Sequence, residues 1–262
     1  ASQNLETPTW GTAGWSNGDT VEGRVAGALI DISDSANETP WDTYSEGAPT
    51  NIWTTFSGHV SNTFADFWNQ RAGDGFNVSD SGALSSLYRN TIDYGFRDPL
   101  GNYVARTRPT PNPAQNYGYN TTSSYWSVVG VRSPVDYDLS LYDDRSQTAL
   151  LAGSAQGTGV VDFVAVDSNQ RAWGDYFPRV YVYSGSGDYT IQLAQGTDIL
   201  NAGTTQGVFM GVSDVVAVRD VSLTAGVPVT FTVTPTSTSE DAELFVMSSD
   251  PANSGTWVRS RS

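Results

Sequence analysis

The 262-residue chain has no cysteine and no lysine, one histidine (His59) and two methionines. Without cysteine there is no disulfide framework, thiol nucleophile or zinc-thiolate site. Without lysine there is no Schiff-base amine, phosphate-loop lysine or isopeptide cross-link to asparagine. A single histidine cannot build a two-histidine zinc site. Positive charge is also scarce, with 13 basic residues, all arginine, against 28 acidic ones and a formal net charge of -15. Such a surface repels phosphate backbones and anionic headgroups, which sets nucleic acid and membrane surfaces aside as partners. No run reaches the ~18 apolar residues of a membrane span. Residues 1–10 lack the charged and apolar regions of a signal peptide.

What is present is aromatic and globular: 38% apolar and 12% aromatic residues, including eight Trp and thirteen Tyr, supply ample core. The length exceeds the ~150 residues typical of one domain, so more than one is expected. In "VEGRVAGALIDISDSANE" the residues Val21, Val25, Ala28, Leu29 and Ile32 share one helical face. Asp19 and Glu22 have capping-box spacing, and Gly23 and Gly27 inside the helix imply close packing. Shorter helices are expected over Thr50–Val60, over Thr63–Arg71, and from near Ser79 to a stop at Gly95. Residues 1–95 therefore read as a small helical unit, and the proline-rich residues 96–121 as an extended arm.

Beyond the arm the period falls to two. "YWSVVGVRS", "DYDLSLYDD", "GVVDFVAVDS", "PRVYVYSG" and "DYTIQLAQ" are strand-length runs separated by turn residues, and predict a β-sandwich over 122–195. A weaker second series, from "GVFMGVS" to "AELFVMSS", repeats the same order and predicts a second, incomplete sandwich over 196–262. The fold class expected is α+β, mainly β: a helical unit followed by one complete and one partial antiparallel β-sandwich.

"WSNGDTVEGRVAGALIDISDSANE", "IWTTF", "TFADFW" and "YRNTIDYGFRDPLGNY" resemble the tail of the helical subdomain in secreted bacterial gluzincin-type zinc metalloproteases, mostly actinobacterial. "YWSVVGVRSPVDYDLSLYDD" and "GDYFPRVYVYSGSGDYTIQL" are similar to pre-peptidase C-terminal β-sandwich domains, accessory modules found after secreted peptidases. The family's His-Glu-x-x-His helix has no counterpart here, so no zinc ligand carries over. The resemblance implies a segment that lies after a protease core, or a descendant that has lost it.

Several groups are candidates for chemistry. His59 could pair with Ser57 or Ser61 and an aspartate, but no nucleophile elbow accompanies it, and a histidine at a helix end is the plainer reading. Carboxylates cluster at Asp31, Asp34, Glu38 and Asp42 and again at Asp136, Asp138, Asp143 and Asp144, where acid–base chemistry is weighed against coincidence in an acidic chain. Calcium suits the oxygen-rich loops of the first sandwich better, with Asp136, Asp138, Asp143, Asp144, Asp167, Asn169 and Asp175 as candidate ligands and solvated acidic loops as the alternative. "DGFNVSDSG" has EF-hand-like spacing without the closing glutamate, and reads as a helix cap. Trp126, Trp173, Tyr176, Tyr181 and Tyr183 could form a carbohydrate-stacking face, or belong to core or interface.

The function expected first is an extracellular or cell-surface, non-catalytic structural protein. It would self-assemble, into a fibre where contacts do not close, using its helical unit and open β-edges with other copies or a companion fragment. The alternatives are an accessory or processed C-terminal fragment of a secreted zinc metalloprotease, and a carbohydrate- or surface-binding module whose partner is a polysaccharide.

Overall fold

The computed structural model describes residues 5, 10–12, 14, 16–122, 126–168, 171, 173–196, 199–201, 210–235 and 242–247, and the backbone of 258–260. The chain divides into two compact units, Ala1–Pro99 with Asn116–Gly118, and Leu100–Gln115 with Tyr119–Ser262. None of the helices among the described residues is long and apolar enough to cross a membrane.

The first unit is built from α1 (Glu22–Ser33), α2 (Thr50–Gly58), α3 (Phe64–Gly73) and α4 (Ala83–Arg89). Its core gathers Ala28, Ile32, Trp41, Phe67, Leu84, Leu87, Tyr88, Ile92 and Phe96, with the rings of Trp10, Trp41 and Phe96 set against Tyr88. The apolar face predicted for α1 is present, but its buried side also carries Arg24 and Asp31. The capping box expected from Asp19 and Glu22 does not form. Val21 is the N-cap, without a side-chain cap, and Asp19 instead accepts a 2.6 Å hydrogen bond from the Tyr94 hydroxyl. The box appears at α3, where Thr63 Oγ1 accepts from the Asp66 N–H and Asp66 accepts from the Thr63 N–H.

Gly27 shows why α1 tolerates glycine: a Cβ there would lie 2.3 Å from Asn90 Oδ1 and 2.7 Å from the Leu5 carbonyl oxygen. The Arg71–Glu46 ion pair is largely enclosed, the Arg71 side chain completely, with Arg71 also donating to the Asn77 carbonyl. The EF-hand-like stretch is a capping loop, as Asn77 Oδ1 accepts from the N–H groups of Ser79 and Ala83. β1 (Asp98–Pro99) runs parallel to the Tyr117–Gly118 stretch that groups with this unit.

The second unit is a two-sheet sandwich. Its strands begin with β2 (Arg106–Arg108), β3 (Ala114–Thr121, of which Asn116–Gly118 groups with the first unit), β4 (Trp126–Arg132), β5 (Asp136–Tyr142) and β6 (Leu150–Ser154). They continue with β7 (Asp162–Asp167), β8 (Gly174–Ser184), β9 (Tyr189–Gln195), β10 (Ile199–Leu200), β11 (Asp220–Val221) and β12 (Val258–Ser260). One sheet runs β3-β8-β5-β6 and the other β12-β7-β4-β9-β2. The pairings of β4 with β7 and β9, of β5 with β6 and β8, and of β9 with β2 are antiparallel. The residues read as a separate arm, 96–121, thus supply three strands, β1, β2 and β3. β3 alternates strictly, with Gln115, Tyr117, Tyr119 and Thr121 buried, but half of those are polar and a hydropathy pattern does not show them.

Of the series expected to form a second, incomplete sandwich over 196–262, residues 202–209, 236–241 and 248–257 lie outside the described residues. Among the described residues of 196–262 the strands are β10 and β11, which pair in parallel, and β12, which joins the first sandwich beside β7. Residues 211–221 lie as a strap over the outer face of β4, β7 and β9. Val216 and Val218 pack on Trp126, Val128, Phe163 and Ala165, and Gln192 Oε1 accepts from the N–H groups of Val215 and Val216. Leu223, Val227, Val229 and Val233 are exposed.

Candidate functional site

The carboxylates of Asp31, Glu38 and Asp42 converge in the first unit, each offering an oxygen so that all three lie within 4.8 Å of one another. Among the described residues they are the sole group of three or more such side chains placed to share a metal ion. α1 positions Asp31 on its last turn, on the buried side, because positions 24, 27, 28, 31 and 32 repeat along one helical face. The chain leaves the helix at Asp34, whose N–H caps the Ile30 carbonyl, and loops back so that Glu38 and Asp42 face Asp31.

Neighbours fix part of the set. Asn90 Nδ2 donates to Asp31 Oδ2 at 2.6 Å, the Glu38 N–H donates to Asp42 Oδ2 at 3.1 Å, and Ser86 Oγ donates to Asp42 Oδ1 at 3.3 Å. Arg89 donates to the Thr39 carbonyl at 3.1 Å and its charge favours the ionised form of Asp31. Burial, reinforced by Asp42, nevertheless lifts the Asp31 carboxyl to about 8. Burial, with Glu38 adding its charge, lifts Asp42 to about 6. Asp34, the fourth acid of the sequence cluster, stands outside the trio.

The candidate ligands in the sandwich are spread over separate tasks. Asp143 pairs with Arg171, Asp144 accepts from the N–H groups of Thr148 and Ala149, and Asp175 accepts from Asn120. Asp138 is buried on β5 and hydrogen-bonded to Tyr181, Asp136 begins the same strand, and Asp167 is buried at the end of β7. Asn169 lies outside the described residues. Of the aromatic set, Trp126 and Tyr176 are buried, Trp126 beneath the strap and Tyr176 stacked on Tyr119, and neither offers a face to a sugar ring. Tyr181 is half-buried, while Trp173 and Tyr183 are exposed at 57% and 72%. No shared platform joins them, because Trp173 Nε1 donates to the Ser168 carbonyl in a loop and Tyr183 sits near the end of β8.

His59 caps the end of α2 and its Nε2 meets Asp74 Oδ1 at 2.8 Å. Ser57 and Ser61 are engaged elsewhere, with the Thr54 carbonyl and Gln70, so no nucleophile faces the imidazole. The hydrogen bond from His59, with that from Thr55, holds the Asp74 carboxyl below its usual range.

The family model described as the Mycolysin C-terminal domain matches residues 1–91. The resemblance to the region following the catalytic core of secreted metalloproteases therefore holds for the helical unit. No curated protein matches the chain. Among solved structures, the pre-peptidase C-terminal domain of a collagenase from Bacillus anthracis is similar at 17% identity over 36% of this chain and 91% of that one, with a TM-score of 0.30. A periplasmic lysozyme inhibitor of g-type lysozyme from Aeromonas hydrophila is similar at 10% identity over 37% and 93%, with a TM-score of 0.26. What those two proteins bind or inhibit stays with them at similarities this low.

Proposed function

We propose that this chain is a non-catalytic, extracellular part of a secreted zinc metalloprotease, acting beside a peptidase core rather than as one. The match of residues 1–91 to the Mycolysin C-terminal domain carries the reading. The histidine content supports it: the one imidazole is tied to Asp74 at a helix end, far short of a two-histidine zinc site. In this reading the helical unit is the portion that accompanies the catalytic core and the sandwich is an accessory module. Assembly into fibres, the first expectation from the sequence, has no support in the fold or in the comparisons.

The test is absolute mass by size-exclusion chromatography with light scattering on native material, with zinc-dependent peptidase activity assayed in the same fractions. Activity that travels with this sequence, in a species that also holds a two-histidine zinc segment, is the expected result. A single peptidase-free species at 28.1 kDa overturns the reading, and so does a large particle of this chain alone.

A further inference from the structure

Three buried or half-buried carboxylates within 4.8 Å of one another repel when ionised, and either protons or a cation between them relieves that repulsion. The donors around the trio do not meet that need. Asn90 takes Asp31 Oδ2, Ser86 and the Glu38 N–H take the two oxygens of Asp42, and the Glu38 carboxyl hydrogen-bonds to that of Asp42. Asp31 Oδ1 and Glu38 Oε2 remain buried with no hydrogen-bond partner, and Asp31 as a residue is only 1% exposed. A buried carboxyl oxygen without a partner is costly, and the cost is greatest once the group ionises, so an orphan on a side chain otherwise held in place points to a cation as its partner in the ionised state.

The chemistry of that ligand can be read from the donors. Every ligand atom is a carboxylate oxygen, which selects a hard cation and disfavours zinc or copper. Three carboxylates with the Arg89 guanidinium nearby leave two negative charges, the amount one divalent cation neutralises. The trio also sits at the C-terminal end of α1, whose last turn has no basic residue, where the helix dipole favours a cation. Carboxylates that can bind through one oxygen or both suit the variable coordination of calcium more than the strict octahedron of magnesium.

We propose that Asp31, Glu38 and Asp42 form a calcium site that clasps the 34–42 loop to the end of α1. The site is distinct from the sandwich acids and stands whether or not the chain works beside a peptidase.

Calcium alone is the probe, titrated calorimetrically into chelator-stripped full chain, with thermal unfolding followed in parallel. The expected result is one calcium per chain with a Kd of roughly 0.1–1 mM, as for extracellular sites, and a Tm that rises with calcium. Asp31→Asn and Glu38→Gln should each weaken binding at least ~10-fold, the ratio given by ~1.4 kcal/mol. Both should keep the wild-type circular dichroism in calcium-free buffer, and the double variant Asp143→Asn/Asp144→Asn should bind as wild type. If Asp31→Asn fails to fold, the half-buried Glu38→Gln carries the test alone. Equal calcium affinity in wild type and Glu38→Gln overturns the proposal. So does a wild type indifferent to calcium, which would leave the cluster held by protons.

Discussion

At the scale of single residues, buried polar groups decide the sharpest expectations. Asp162 is 2% exposed on β7 and accepts hydrogen bonds from Ser154 Oγ at 2.6 Å and the Gln156 N–H at 2.9 Å. Burial, aided by the charges of Asp138 and Asp136, raises its carboxyl above the ordinary range. A raised carboxyl keeps a proton in the folded state that the unfolded chain has released. Its stabilising contribution is therefore present at acid pH and is lost as pH climbs from about 4 through the raised value. Asn at 162 keeps an acceptor oxygen for both donors and carries no charge. Asp162→Asn should thus match wild type near pH 4 and exceed it in Tm at pH 7, measured by thermal unfolding across that range. A variant less stable at both pH values would show that the ionised carboxylate is the favoured form.

Gly27 gives a second residue-scale expectation. A methyl group there meets Asn90 Oδ1 and the Leu5 carbonyl, and the Asn90 side chain must move away from Asp31 to admit it. Gly27→Ala should lose about 1–3 kcal/mol by overpacking, despite alanine's better helix propensity. Urea unfolding would read it, and an unchanged or higher midpoint would contradict the close approach of α1 to Asn90. Four-residue glycine spacing hinted at this contact in the sequence, although what fills the gap is an amide from the end of α4 and could not be read from spacing.

At the scale of elements, apolar period and turn chemistry were readable while long-range polar partners were not. The four helices are present because Leu84, Leu87 and Tyr88, or Phe64, Phe67 and Trp68, recur at helical spacing. The start of α3 was equally available, in Thr63 followed three residues on by Asp66. Asp19 misled because its partner, Tyr94, lies 75 residues away. The carboxyl trio was half legible. Four acids crowd one stretch of sequence, but only the turn after α1 selects Asp31, Glu38 and Asp42 and leaves Asp34 aside. The strap was hidden for the same kind of reason. Val216 and Val218 have strand spacing, yet the strap's backbone is held by distant side chains: Gln192, 1% exposed on β9, accepts from the N–H groups of Val215 and Val216, Tyr103 donates to the Val218 carbonyl, and Arg132 donates to the carbonyls of Val212 and Asp214. Gln192→Leu removes the acceptor of two N–H groups and the donor to Asp214. It should cost ~1–3 kcal/mol and speed hydrogen exchange at residues 211–218, whereas unaltered exchange there would mean that apolar contact with Trp126 and Phe163, with the bonds from Tyr103 and Arg132, suffices to hold the strap.

At the scale of the whole molecule, two units with separate interiors imply two cooperative steps. The first encloses Leu87, Phe67 and Tyr88 with an Arg71–Glu46 ion pair, and the second closes two sheets around Val129, Leu139, Leu141, Val164, Val180 and Ile191. Domains with their own cores generally unfold as units, and a single stability value then describes neither. Calorimetry on the full chain should resolve two transitions. Gly27→Ala should lower one of them and Gln192→Leu the other, each leaving its counterpart within a degree or so, because the substitutions share no partner. Breaking the enclosed ion pair with Glu46→Ala strands the Arg71 guanidinium and should cost ~3–5 kcal/mol, all of it in the transition that Gly27→Ala also lowers. If all three variants shift one common transition, the two interiors melt together and the division into separate folding units fails.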